Sequence, residues 1–389
     1  MAEINDIREF REKQKKKERK VFFLRLGICA AAAALIGAFL LLYEPIFGVS
    51  LAESIGLVEP PKGYPVEITG GTPKVIHTMG TRMSLLTDTE VMVYDEYGTL
   101  SLRQVHNCTN PRMKTQGDCA VVYDVGYYAY TVIGGDTLIK SGDCENQIIG
   151  AAVGKNGNYA LITASTKFLT ELKAVNRKGE TVATWKSTGN YIHAAAFSPD
   201  GQYLAASALY SDNGLPKTTV RILDLKNEEN PVVADREFPD SSLIAMTYLD
   251  NGNLCLVFDR ETVVTDAVGE VLLRYPYAHE LYYYNLNEYG AFLAEKNGEE
   301  VTAHLVYDAK NVSPSVTLPE NFKTEQHKKT EVYLLGNDTL TTYDRQFTPL
   351  SEEKDLTEAF GIACNETDTY LLTFTQIEKL KQEKSYAIG

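Results

Sequence analysis

Tryptophan is nearly missing from this chain of 389 residues; Trp185 stands alone, which excludes a cofactor site built on repeated tryptophans. The six histidines, at 77, 106, 193, 279, 304 and 327, never occur at metal-ligand spacing, and there is no Cys-x-x-Cys or His-Glu-x-x-His, so no metal is expected. A Gly-x-Ser-x-Gly elbow, a P-loop and a dinucleotide fingerprint are also missing, so no catalytic residue or cofactor is assigned. Asp136, Asp143 and Glu145 are neighbours without calcium-loop spacing and read as solvated acids. Basic residues are scarce beyond the N-terminal stretch. Residues 1–43 carry nine Lys/Arg against five Asp/Glu, the remainder 29 against 47, so the net charge of −14 divides into +4 and −18. A domain that acidic repels phosphate backbones, and nucleic acid is not an expected partner.

The one long apolar run lies near the start. Leu26 to Tyr43 is uncharged, and extending back to Val21 admits only Arg25. About twenty apolar residues in a helix span a bilayer core of roughly 30 Å, and Arg25 can snorkel at the end. Eight Lys/Arg precede the run, while Glu44 and Glu53 follow it with no base until Lys62. The positive-inside rule then places the N-terminus in the cytoplasm. A cleaved signal peptide with Ser50 and Ala52 at its site is the alternative; the long basic tail and long apolar core favour an uncleaved anchor. The expected organisation is a basic cytoplasmic tail (1–20), a transmembrane helix (21–43), a Pro-containing extracytoplasmic linker (44–65), a propeller domain (66–376) and a polar tail (377–389), with the chain at the cell membrane.

After residue 66 the pattern is strand-like throughout, with short apolar or alternating runs between Gly, Asn and Asp turns. One unit recurs, a strand ending in Asp or Asn: Asp95, Asn176, Asp224, Asp266, Asp308 and Asp344, with a copy expected near Gly134-Gly135-Asp136. Steps of 36 to 48 residues suit four-stranded propeller blades. Upstream lie Ala-rich hairpins turning at Asn156-Gly157, Asp200-Gly201 and Asn251-Gly252, which read as type I′ turns. Small residues fit the narrow end of a wedge-shaped blade. Each blade is therefore expected to have an Ala-rich inner pair and a more polar outer pair. The hairpin around Phe360–Cys364 and Tyr370–Phe374 lacks an outer pair, and Val66–Thr69 is an orphan strand that would close the ring. The fold class is all-β, a seven-bladed propeller by period or an eight-bladed one by hairpin count, behind one N-terminal transmembrane helix.

The runs Met83 to Asp88, Val93-Tyr94-Asp95, Val121 to Asp124 and Ser198-Pro199-Asp200-Gly201, with the basic tail and apolar run, resemble a Firmicutes family of membrane-anchored, WD40-like propellers known only as a domain of unknown function. The resemblance implies an architecture and lends no catalytic residue. The Trp-Asp pair and histidines of regular WD40 blades are missing.

Cys108, Cys119 and Cys144 are close enough along the chain for one disulfide, Cys108–Cys119 or Cys119–Cys144, whereas Cys255 and Cys364 sit in apolar strand patterns and read as buried thiols. Function is expected to be binding: a scaffold engaging an envelope protein or a wall-derived ligand through Asn107–Gln116, Ser211–Lys217 or Asn321–Lys329, with Tyr282, Tyr283 and Tyr284 as aromatic anchors. A glycan-directed enzyme with a site assembled across blades, or a ligand-sensing regulator acting through the basic tail, are the alternatives.

Overall fold

The computed structural model describes residues 63–380 apart from Glu228. The anchor expected at 21–43, the tail expected at 1–20, the expected linker up to residue 62 and residues 381–389 lie outside the described residues. Among the described residues no helix is long and apolar enough to cross a membrane.

Among the described residues thirty-two strands form eight antiparallel sheets of four, each built from consecutive strands except one. Blades 1 to 7 follow the chain, with inner strands Pro73–Met79, Pro111–Gln116, Ile148–Val153, Tyr191–Phe197, Leu243–Tyr248, Glu280–Asn287 and Thr324–His327. Blade 8 is composite: its three inner strands, Gly361–Cys364, Thr369–Leu372 and Gln376–Lys379, are completed by Val66–Glu67 from the other end of the domain. Val66 pairs with Ile377 and Glu67 with Gln376, so the ring closes as expected and the count is eight. The last strand falls within the segment read as the polar tail, so the propeller extends to Lys379.

Each inner strand touches the inner strand of the next blade, and that of blade 8 touches that of blade 1. The core is correspondingly divided into eight apolar layers, one between each pair of neighbouring blades. Alanines 152, 160, 174, 195, 206 and 208 fill the layer between blades 3 and 4, where small side chains let two sheets approach. Outer strands alternate exposed and half-buried residues, as in Leu100–Val105 and Val271–Pro276, because only one face meets a neighbour.

The recurring Asp or Asn has a physical cause. It stands between the third and fourth strands, and in four of the six copies its side-chain oxygen accepts from the N–H groups two and four residues on. Asp95 binds Tyr97 and Thr99, Asn176 binds Lys178 and Glu180, Asp266 binds Val268 and Glu270, and Asp344 binds Gln346 and Thr348, all at 2.8–3.0 Å. The side chain thus satisfies turn donors that no ladder reaches. The expected copy in blade 2 is different, a two-residue turn at Gly135-Asp136 joining the paired residues Gly134 and Thr137.

The inner hairpins correct one expectation. Gly157, Gly201 and Gly252 have φ of +82°, +69° and +86°, whereas Asn156, Asp200 and Asn251 do not enter the left-handed region. A type I′ turn needs positive φ at both positions; here the Gly157 and Gly252 N–H groups bond back to Gly154 and Leu249 carbonyls, the geometry of a type I turn followed by a left-handed glycine. Phe347, with φ +56°, takes the position that Gly98, Gly179 and Gly269 hold in other blades. Its buried ring packs on Phe292 and Tyr343. Burying a Phe side chain, roughly 3 kcal/mol, exceeds the ~1–2 kcal/mol of left-handed strain.

Candidate functional site

Antiparallel order puts the turns of the inner hairpins on one face of the disc, the lower, and the starts of all inner strands around the mouth of the axial channel on the other, the upper. At the lower face the turns reach past the neighbouring blade to the one beyond it. Lys155 of blade 3 pairs with Asp250 of blade 5 at 3.2 Å, and the Gln116 amide of blade 2 donates to the Phe197 carbonyl of blade 4 at 2.9 Å. Gly80, φ +60°, lies where a Cβ would run into the Asp118 carboxylate.

The upper face differs in charge. Between blades 1 and 2 lies a cavity of about 440 Å³, lined by Lys74, His77, Arg112 and Asn110 together with Val75, Leu86, Pro111 and Met113. Lys74 and Arg112 are exposed at its rim and His77 is half-buried further in, while Lys114, also half-buried, lies outside its lining. Lys114 holds in blade 2 the register of His77 in blade 1, each two pairs back from the end of a two-residue hairpin. Burial depresses His77 to about 4 and pulls Lys114 below the usual lysine range, since desolvation disfavours the charged form. His193, from blade 4, is likewise lowered, first by burial and in part by the Lys114 charge, against hydrogen bonds to the Leu243 and Tyr191 carbonyls.

The buried acids of the inner region are occupied structurally. Glu325 and His327, both fully buried on the inner strand of blade 7, meet at 2.8 Å. His327 Nε2 faces the Gly290 carbonyl at 3.1 Å, and the Asn285 amide donates to Glu325 Oε2 at 3.0 Å. The Asn287 amide adds a bond to the His327 carbonyl, so the network locks blade 6 to blade 7. Asp124 accepts from Thr109 and Asn110, and Glu295 from Ala278 and His279; each carboxylate ties the loop entering its blade to that blade's second strand. Among the described residues no group of His, Cys, Asp or Glu is arranged to hold a metal ion.

The expected contact segments divide. Ser211–Lys217 forms the tip of an extended hairpin on the upper face, and residues 107–110 lie on that face too. The remainder of Asn107–Gln116 is the inner strand of blade 2. Asn321–Lys329 is centred on the inner strand of blade 7, Thr324–His327, with Glu325, His327 and Lys328 buried, so its centre is wall and not loop; its short alternating run gave no sign of which. In the tyrosine run Tyr283 packs on Phe292 and Phe322, while Tyr282 and Tyr284 are 57% and 38% exposed. Tyr127, Tyr128, Leu215 and Phe374 are also exposed on upper-face turns.

All five described cysteines are free thiols, and the disulfide expected among Cys108, Cys119 and Cys144 does not form in this structure. Cys108 lies in the layer between blades 1 and 2, Cys119 in that between blades 2 and 3, on opposite faces of one sheet. Cys144 shares the second layer but follows an outer strand at the upper face, whereas Cys119 begins the second strand at the lower. Cys255 and Cys364 are buried.

The fold is that of a closed eight-bladed β-propeller. The chain belongs to the family of unknown function DUF5711, whose model matches residues 66–346. No curated protein matches it. Among solved structures it is similar to AztD from Citrobacter koseri (10% identity, 76% of this chain and 89% of that one, TM-score 0.55). It is similar also to BamB from Moraxella catarrhalis (11%, 82% and 98%, 0.50) and to the C-terminal WD40 domain of Sif2 (8%, 81% and 99%, 0.56). At these identities the likeness concerns the fold alone.

Proposed function

We propose that this chain is a non-catalytic binding module of the cell envelope. Residues 21–43 anchor it with the N-terminus in the cytoplasm, and the propeller, outside, presents its upper face to an envelope protein. The observation that carries this reading is the set of exposed side chains on that face, Tyr127, Tyr128, Leu215, Tyr282 and Phe374, mounted on a closed scaffold. Aromatic groups held on rigid elements bury large area at low entropic cost and anchor protein interfaces. The similarity to BamB and to a WD40 domain is consistent with a binding role.

In-cell crosslinking of the full-length protein, followed by mass spectrometry, tests the proposal, with an anchored chain lacking the propeller as control. Recovery of one defined envelope protein through propeller residues supports it. Recovery of nothing beyond the control, or of cytoplasmic proteins through the propeller, overturns it.

A further inference from the structure

The inner strands of blades 1 to 5 contain no aspartate or glutamate, yet those of blades 1, 2 and 4 carry Lys74, His77, Arg112, Lys114 and His193. This is an inversion of sign in a domain at −18. Acids elsewhere pair with nearby bases, as Arg82 with Asp136, Arg221 with Asp235 and Lys379 with Asp368. The side chains of Lys74, His77, Arg112 and Lys114 have no hydrogen-bond or ion-pair partner among the described residues. Two acids of the same blades are engaged by backbone, Asp88 by the Thr72 N–H at 2.8 Å and Asp124 by Thr109 and Asn110. Lys74, Arg112 and His77, with a free amide at Asn110, thus line one cavity and complete no internal network.

We propose that the cavity between blades 1 and 2 binds a small organic anion, with its carboxylate or phosphate held by Arg112 and Lys74 and its apolar part against Val75, Leu86, Pro111 and Met113. Arg112 offers a planar fork suited to either oxyanion, Lys74 supplies a point charge, and His77 and Asn110 add neutral hydrogen-bonding groups. A cavity of about 440 Å³ exceeds what a bare inorganic anion needs and falls within the size of small-ligand sites. The site requires neither the anchor nor a protein partner, so it stands or falls separately from the envelope reading.

The test is calorimetric titration of the purified full-length protein with phenyl phosphate and with benzoate, inorganic phosphate serving as the ligand without an apolar part. The proposal expects saturable binding of at least one aromatic anion, tighter than inorganic phosphate. It expects a loss of about tenfold or more in Arg112→Gln and in Lys74→Met, and none in Lys329→Gln on the lower face. Because Lys74 is exposed and has no partner to lose, Lys74→Met should melt no lower than the parent, which separates lost binding from lost folding. Whichever of phenyl phosphate and benzoate binds more tightly identifies the oxyanion. Absence of binding of both up to about 10 mM, or binding that Arg112→Gln and Lys74→Met leave unchanged, overturns the assignment.

Discussion

Replacing Glu325 by alanine should destabilise the propeller by an amount that can be worked from the geometry. The carboxylate is fully buried, 2.8 Å from His327 Nδ1 and 3.0 Å from the Asn285 amide. Removing one member of a buried pair costs about 3–5 kcal/mol, because the other is left desolvated and unpaired. At roughly 2.1 cal/mol/K of unfolding entropy per residue, a domain of this size has about 0.67 kcal/mol/K, so the midpoint should fall by about 5–7 °C. Glu325→Gln is the informative companion. With His327 Nε2–H donating to Gly290, Nδ1 can accept from the glutamine amide while its carbonyl still accepts from Asn285. Both partners of the carboxylate stay satisfied, and the loss should stay near 1–2 °C, on the order of one neutral hydrogen bond. Differential scanning calorimetry at pH 7 measures both. A fall below about 2 °C in Glu325→Ala, or equal falls in the two variants, would refute the reasoning that burial and hydrogen-bond satisfaction, not charge, govern this network.

Val66→Pro removes a ladder donor opposite Ile377 and should open blade 8, lowering the midpoint by several degrees and increasing light scattering on heating as an edge strand is bared; an unchanged midpoint would mean that the ring does not depend on this closure. Burial pushes Cys108 and Cys255 up to about 12 and Cys144 to about 11, so native alkylation should be slow, led by the less buried Cys144, with no mass change on reduction. Prompt labelling of Cys255 would contradict the described core. Because His77 has its pKa lowered to about 4 by burial, the unfolded chain takes up the proton first. Stability should therefore fall as pH drops from about 6.5 towards 4, and His77→Asn should flatten that slope in urea titrations. An identical slope would place the titration elsewhere.

The parts of this fold legible in sequence are those encoded by local hydrogen bonding. Asp95, Asp266 and Asp344 announce their turns because the side chain binds donors within four residues. The ambiguity between seven and eight blades has the same root. Blade 8 has no such turn, since its fourth strand arrives from residue 66, and counting turns misses it. Its third strand escaped notice because only Ile377 among its four residues is fully buried. The Glu325–His327–Asn285 network and the basic cavity were not legible at all. Each joins residues about forty apart whose register depends on how neighbouring blades pack, and a lysine at 74 reads in sequence like any strand lysine.

The central claim is that the upper face is where this module binds. A photoreactive amino acid placed at Tyr282 on that face, and in parallel at the exposed Lys329 on the lower face, tests it directly in cells. The account predicts covalent capture of one defined envelope protein from position 282 and not from 329. Capture from 329 alone, or from neither position, would contradict it.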